Sequence, residues 1–283
     1  MPIAVVELDF EPLLRFGDVS VRLETLGTAI AVLVALLSAA RNLRAAGGGL
    51  EDVLFVVLGA IPGAIVGGRI GYALLHADYY SASPASLLDP SRGSLELGLA
   101  VVGGVLTASW VAALLGARLR AWLDAAIVPL LAALALGKLA TVLGGAGQGL
   151  PSDLPWATAY LGPGPWASLA PGMPSHPSQV YEALGTGIVL GVVLVAGRVT
   201  RLRRPTGLRF LVGLAGWAIV RALVASTWRD APVLAGLRAG QLIALALLAG
   251  CVVLLALLAR RALPRGSSGI VYANVNREGE VRS

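Results

Sequence analysis

Arg69, Lys138 and Arg221 each stand inside a long apolar stretch, and Glu182 opens another. Ionisable residues in such stretches are costly and by default mark a functional site. Arginine grips phosphate through its planar fork, and lysine acts as a point charge. Three cations and one carboxylate therefore suit an anionic lipid headgroup, with Glu182 holding the cations in place rather than acting as a base. His176, six residues before Glu182 in HPSQVYE, is either a general base or a capping hydrogen bonder. His76 reads as an interfacial residue without a role. Gly67, Gly68, Gly71, Gly103 and Gly104 let a lipid or a neighbouring helix come close to backbone, and helix–helix packing is the simpler reading for most of them. No phosphate-binding loop, metal-ligand spacing or Ser–His–Asp order is readable, so no metal and no cofactor is expected.

The elements that carry these residues are membrane spans. Hydrophobic residues make up 57% of the 283 and charged residues 13%, with a mean hydropathy of +0.79, whereas soluble domains carry about 25% charge. The composition predicts an all-α polytopic membrane protein, a single membrane domain over 1–283. Its seven spans fall near 23–40, 54–75, 95–115, 125–143, 180–196, 208–225 and 239–259, with a polar, mobile tail over 266–283. The formal charge of +6 reflects arginines beside span ends, not an affinity for nucleic acid. Cys251, the lone cysteine, excludes a disulfide framework and reads as a small buried apolar residue. Residues 1–20 carry four acids and one arginine, so a cleavable signal peptide is not expected.

Between the fourth and fifth spans lies a stretch from Gly144 to Glu182, dense in proline and glycine and free of Lys and Arg. Proline fixes φ and glycine permits φ > 0, so this stretch is neither one helix nor one strand. Trp156, Tyr160, Trp166 and Tyr181 favour an ordered loop at the membrane–water interface. Arg41, Arg44, Arg118, Arg120, the five arginines from Arg198 to Arg209, and Arg260, Arg261 and Arg265 fall on one side of the bilayer. Arg15, Arg22, Arg92, Arg229 and Arg238 fall on the other. Twelve against five assigns the first side to the cytoplasm, which places the N-terminus and the long loop outside and the C-terminus inside.

Arg69, Lys138 and Arg221 then lie four to six residues before the outer ends of their spans, about 6–9 Å below the boundary at 1.5 Å per residue. Glu182, Gln241 and Gly103-Gly104 enter at a similar depth from the outer ends of their own spans. Polar or small residues from six helices share one layer. Snorkelling of each cation to the lipid phosphates is the competing explanation.

The motifs resemble those of the prolipoprotein diacylglyceryl transferase family from about Gly17 to Leu258: Glu51-Asp52, GGRIGY at 67–72, Gly103-Gly104, Asp124, GLPSDLPWA at 149–157, HPSQVYE at 176–182, Arg221 and Gly240-Gln241. The order of DLPWA followed by HPSQxYE between spans four and five is the specific part. The resemblance implies a seven-span fold with its N-terminus outside, in the cytoplasmic (inner) membrane of a bacterium. It implies transfer of diacylglycerol from phosphatidylglycerol, or a similar anionic phospholipid, to the cysteine thiol of lipobox-containing preprolipoproteins. It further implies that Lys138, Arg221, Glu182 and His176 serve catalysis, and that Arg69, Tyr72, Gly103, Gly104, Lys138, Gly149, Arg229 and Gln241 bind substrate. Against the family pattern, Val102 replaces the histidine before Gly103-Gly104, Lys138 replaces an arginine, and Thr141, Gly144 and Ala146 replace two asparagines and a glutamate. Leu23-Glu24-Thr25 stands where the family has Trp-Tyr-Gly, and Trp217 and Ala225 where it has Tyr and Glu. Two readings stay open: a transferase, and a non-catalytic phospholipid- or lipoprotein-binding protein on the same scaffold. A small-anion transporter fits the cations but lacks the internal repeat such folds often show.

Overall fold

Glycine decides which helices touch. The computed structural model describes residues 5–89, 93–199 and 206–262. Arg92, Arg201, Arg203, Arg204, Arg265 and the polar tail, all used in the sequence reading, lie outside the described residues. Among the described residues, seven helices are long and apolar enough to cross a membrane: α1 (Leu23–Ala45), α2 (Leu50–Leu75), α4 (Leu97–Leu114), α5 (Leu119–Val142), α6 (Ser178–Val199), α7 (Leu208–Val224) and α8 (Ala239–Ala262). A short helix, α3 (Ala77–Ala82), and a 3-10 turn at Pro84–Leu87 follow α2. The helices overrun several hydropathic stretches. α1 continues past Arg41 and Arg44 to Ala45, because arginine is a good helix former and its stem reaches water from inside the helix.

α2 and α4 meet backbone to backbone. A Cβ added at Gly67 would lie 2.2 Å from Leu99 O, and one at Gly103 would lie 2.0 Å from Gly63 O. α1 packs on α5 where Gly27 faces Ala140. α5 and α7 carry the most buried faces, and Ile127, Leu131, Leu214, Trp217, Val193 and Cys251 form the core between them, α6 and α8. The buried Asp124 on α5 accepts from Gly207 N at 2.7 Å and Phe210 N at 2.9 Å, so one helix caps the N-terminus of another. Ile30, Leu58, Leu106, Ile188 and Leu223 remain exposed, as lipid-facing positions should. An apolar cavity of about 430 Å³ runs between α1, α2, α4 and α5.

The body is all-α, but its ends carry short strands that hydropathy does not reveal. β1 (Val6–Leu8) pairs in parallel with β4 (Thr158–Tyr160), Glu7 opposite Ala159. β2 (Leu13–Phe16) and β3 (Val19–Arg22) form a hairpin, as do β5 (Pro232–Leu234) and β6 (Leu237–Arg238). The last hairpin turns on Ala235 and Gly236, both at positive φ, the conformation that matches strand twist. The β1–β4 pairing fixes the N-terminal arm and the long loop on the same side of the bundle.

That loop is tied down rather than loose. Gln148 donates to Thr158 O at 2.8 Å and Met173 O at 3.2 Å. Trp166 donates to Gly162 O and sets its ring edge-on to Phe10. Gly149 N donates to His176 O, and Leu150 N to Thr227 O, the latter stitching the loop to the end of α7.

Candidate active site: a charged chamber beneath the long loop

Arg221, in the last turn of α7, is almost fully buried and lies between two carboxylates. Its Nη1 reaches Glu182 Oε1 on α6 at 2.8 Å, and its Nη2 reaches Glu96 Oε1 at 2.7 Å. Glu182 also meets Lys138 Nζ of α5 through Oε2 at 2.9 Å. Two cations and two carboxylates thus form one chain, Lys138–Glu182–Arg221–Glu96, whose formal charges cancel. Trp228 lies against both cations, with its ring centre 4.8 Å from the Arg221 guanidinium and 5.9 Å from Lys138 Nζ. Gly240 makes that possible, since a Cβ there would sit 2.3 Å from the Trp228 ring.

Glu96 is the functional residue that the sequence reading missed. It is the N-cap of α4 and accepts from Gly98 N at 2.7 Å and Leu99 N at 2.6 Å, besides holding Arg221. The glycines of the GGRIGY segment make its seat: Glu96 N donates to Gly68 O at 2.9 Å, and a Cβ on Gly71 would lie 2.7 Å from Glu96 Cβ. The available signal was a carboxylate at the entry to an apolar run, which by itself reads as an ordinary boundary residue.

A chamber of about 240 Å³ adjoins the charge chain. Lys138, Gln179, Glu182, Trp228, Arg229 and Asp230 line it from the helices and their ends, and Gln148 and Ser168 from the loop. Arg229 is positioned by donating from Nε to Gly149 O at 2.6 Å and from Nη2 to Ser175 Oγ at 3.0 Å. Among the described residues it has no carboxylate within ion-pair distance, although Asp230 lines the same chamber. Gly149 is required by closeness: a Cβ would lie 2.3 Å from Ser178 Oγ and 2.4 Å from Thr227 O.

Of the residues singled out in the sequence, Lys138, Glu182, Arg221 and Arg229 come together here, with Gly149 behind Arg229. The others are elsewhere. Arg69 spends its guanidinium on Leu87 O at 2.9 Å, Ser86 O at 3.0 Å and Asp89 O, fastening the loop after α3. Tyr72 stacks on His76 at 4.1 Å. Gly103 and Gly104 face Gly63 and Ala64 of α2. Gln241 accepts from Arg238 N at 3.0 Å and donates to Ala222 O at 3.3 Å, joining the start of α8 to α7. His176 lies 3.4 Å from Tyr181 Oη, which also accepts from Trp156 Nε1, and does not line the chamber.

Burial acts on the loop as well. The Tyr160 hydroxyl is pushed up to about 12 by burial, the hydrogen bond from Gln179 opposing and the charge of Glu24 adding to the rise.

Fold and site together define a polytopic helical membrane protein with a charged chamber under one end of its bundle. Comparison with known proteins makes this particular. The sequence model of the family described as prolipoprotein diacylglyceryl transferase matches residues 12–257, and the chain belongs to that family. Similar proteins carry the name phosphatidylglycerol–prolipoprotein diacylglyceryl transferase. The protein of Geobacter sulfurreducens is 33% identical, over 67% of this chain and 70% of its own length. That of Ruegeria pomeroyi is 37% identical, over 62% and 60% respectively. That of Bordetella avium is 31% identical over 89% and 96%. The Ruegeria pomeroyi alignment therefore covers less than two thirds of that relative, while the Bordetella avium alignment covers nearly all of its own.

Proposed function

We propose that the protein transfers the diacylglyceryl group of an anionic phospholipid, phosphatidylglycerol as in the names of its relatives, to the lipobox cysteine of a prolipoprotein. The observation that carries this reading is that Lys138 and Arg229 both line the chamber. Lysine has three N–H donors and arginine five. Glu182 occupies one side of Lys138, and two groups occupy Nε and Nη2 of Arg229, so both keep donors for a phosphodiester. In the transfer the cysteine sulfur attacks the glyceryl carbon, a C–S bond forms, and the C–O bond to phosphate breaks. Glycerol phosphate leaves with the electron pair on its oxygen, and Lys138 and Arg229 stabilise the charge that collects there. Arg221 and Glu182 are positioning residues, holding Lys138 and each other. The apolar cavity beside α4 suits the acyl chains.

The thiol proton has no dedicated acceptor in this scheme. Both carboxylates of the charge chain are taken, Val102 stands at the family's histidine position, and no step passes through His176. A thiol of pKa about 8.5 is a few per cent ionised at neutral pH, which suffices for slow transfer. The same observation favours a second reading, a non-catalytic phospholipid-binding protein on this scaffold. Purified protein with labelled phosphatidylglycerol and a lipobox peptide separates the two. The expected result is a thioether product whose rate of formation climbs with pH toward the thiol pKa. Lipid binding without product would leave the second reading standing.

We further propose one membrane domain in the cytoplasmic membrane, with the N-terminus and the long loop outside. The arginine asymmetry supports that orientation, and the β1–β4 pairing supports a shared side for these two segments.

A further inference from the structure

α2 packs along α4 and α1 along α5, and the cavity of about 430 Å³ is the wedge left between these two pairs. Its near end lies at Leu97, the residue that follows Glu96 of the charge chain. Its far end is closed. There Ala39, Leu43, Ala112 and Trp122 line the cavity and, with Val53, pack into one buried cluster. Trp122 seats on the turn between α1 and α2 because Gly48 has no side chain; a Cβ there would lie 2.3 Å from the indole ring. Along α4, Ala100, Gly104, Ala108 and Ala112 recur every four residues, so one wall stays low from end to end. Among the described residues no charged side chain lines the cavity, and Ser109 is its one hydroxyl. From Leu97 to Ala112 the helix rises about 22 Å at 1.5 Å per residue. A bilayer's hydrocarbon core is about 30 Å thick, so the cavity runs deeper than a single leaflet.

We infer that an acyl chain of the phospholipid held in the chamber lies extended in this cavity, and that Trp122 ends it and so sets the longest chain the protein accepts. This rests on the reading of the chamber as a phosphodiester site. The apolar lining attracts a chain no more strongly than the bilayer does, since both surroundings are hydrocarbon. Discrimination by length therefore comes from the closed end. A chain that fits enters freely. A longer one must buckle against Trp122 or displace its cluster, which is destabilising in the way that overfilling a packed core is.

The test measures binding of phosphatidylglycerols with two identical saturated chains, from myristoyl through palmitoyl, stearoyl and arachidoyl to behenoyl. Each is a minor component of nanodiscs of fluid neutral lipid that carry the full-length protein. The wild type is expected to bind the shorter members equally and to lose about tenfold in affinity beyond one length. In Trp122→Ala that break is expected to move to longer chains. In Ala108→Leu, which leaves the closing cluster intact and narrows the cavity part-way along, it is expected to move to shorter ones; this variant carries the test should Trp122→Ala not fold. Affinity independent of length in the wild type overturns the inference. A break that stays in place in Ala108→Leu or in a folded Trp122→Ala overturns it too. So does equal weakening at every length in Ala108→Leu, since the leucine would then disturb the helix pair and not the chain. If no member binds the wild type, the phosphodiester reading itself falls, an outcome distinct from the others.

Discussion

Removing Glu96 is the sharpest perturbation of the charge chain. In Glu96→Ala, Gly98 N and Leu99 N lose their cap, which is typically about 1 kcal/mol. The larger effect falls on Arg221, which is 3% exposed and keeps only Glu182, a carboxylate it shares with Lys138. Stripping one partner from a buried pair destabilises by about 3–5 kcal/mol, because the remaining charge stays buried. The same carboxylate does both jobs, so we expect about 3–5 kcal/mol, set by the stranded charge, rather than the sum. Glu96→Gln, which keeps a capping oxygen and loses the charge, should fall between Ala and wild type. Equilibrium unfolding of the purified protein in mixed micelles, followed by fluorescence of Trp217 and Trp228 beside Arg221, measures all three. A Glu96→Ala protein within about 1 kcal/mol of wild type, the range of an exposed pair, would refute the idea that Arg221 depends on Glu96.

Lys138→Ala is expected to abolish phosphatidylglycerol binding and Lys138→Arg to retain it, read by the same nanodisc titration; unchanged binding in the Ala variant would reduce Lys138 to a partner of Glu182. Gly103→Val should separate α2 from α4 and destabilise by about 1–3 kcal/mol or more, since a Cβ there lies 2.0 Å from Gly63 O; a neutral effect on unfolding would contradict that packing. The folded state holds the Tyr160 proton more tightly than the unfolded chain, whose tyrosine titrates near 10, so its contribution is complete below pH 10 and lost as pH rises through about 12. Two pKa units correspond to about 2–3 kcal/mol, and Tyr160→Phe should flatten stability between pH 10 and 12; an unaltered pH profile would count against this. Leu169, 90% exposed at the loop surface, should when changed to Cys in a Cys251→Ala background react with an impermeant thiol reagent on intact cells; labelling only after lysis would reverse the proposed orientation.

Span number, the shared depth of Lys138, Arg221 and Glu182, and the shared side of the N-terminus and the long loop were all legible, because hydropathy and rise per residue are properties of the chain. Rotation about each axis was not. α4 is apolar around its whole circumference, so nothing in its pattern says which face Gly103 presents. Arg69 stands about as far from the end of its span as Lys138 does, yet it is consumed by carbonyls of residues 86–89, and loop shape is set by tertiary contacts. Glu96 escaped notice because glutamate is not among the favoured N-cap residues, and its partner lies 125 positions away. The strands escaped because three-residue pairings such as β1–β4 bring together segments too short to show a period.

The separation between Glu96 and Arg221 has a consequence in time. Glu96 leaves the ribosome 125 residues ahead of Arg221, and α4, α5 and α6 all precede α7. Lys138 and Glu182 can neutralise each other as soon as α6 arrives, but the carboxylate of Glu96 must wait for α7. While it waits, the two amides at the start of its own helix, Gly98 and Leu99, are its partners. The cap that looks like a local detail of α4 thus serves as a placeholder, keeping Glu96 oriented until the last-but-one membrane helix closes the chain of charges.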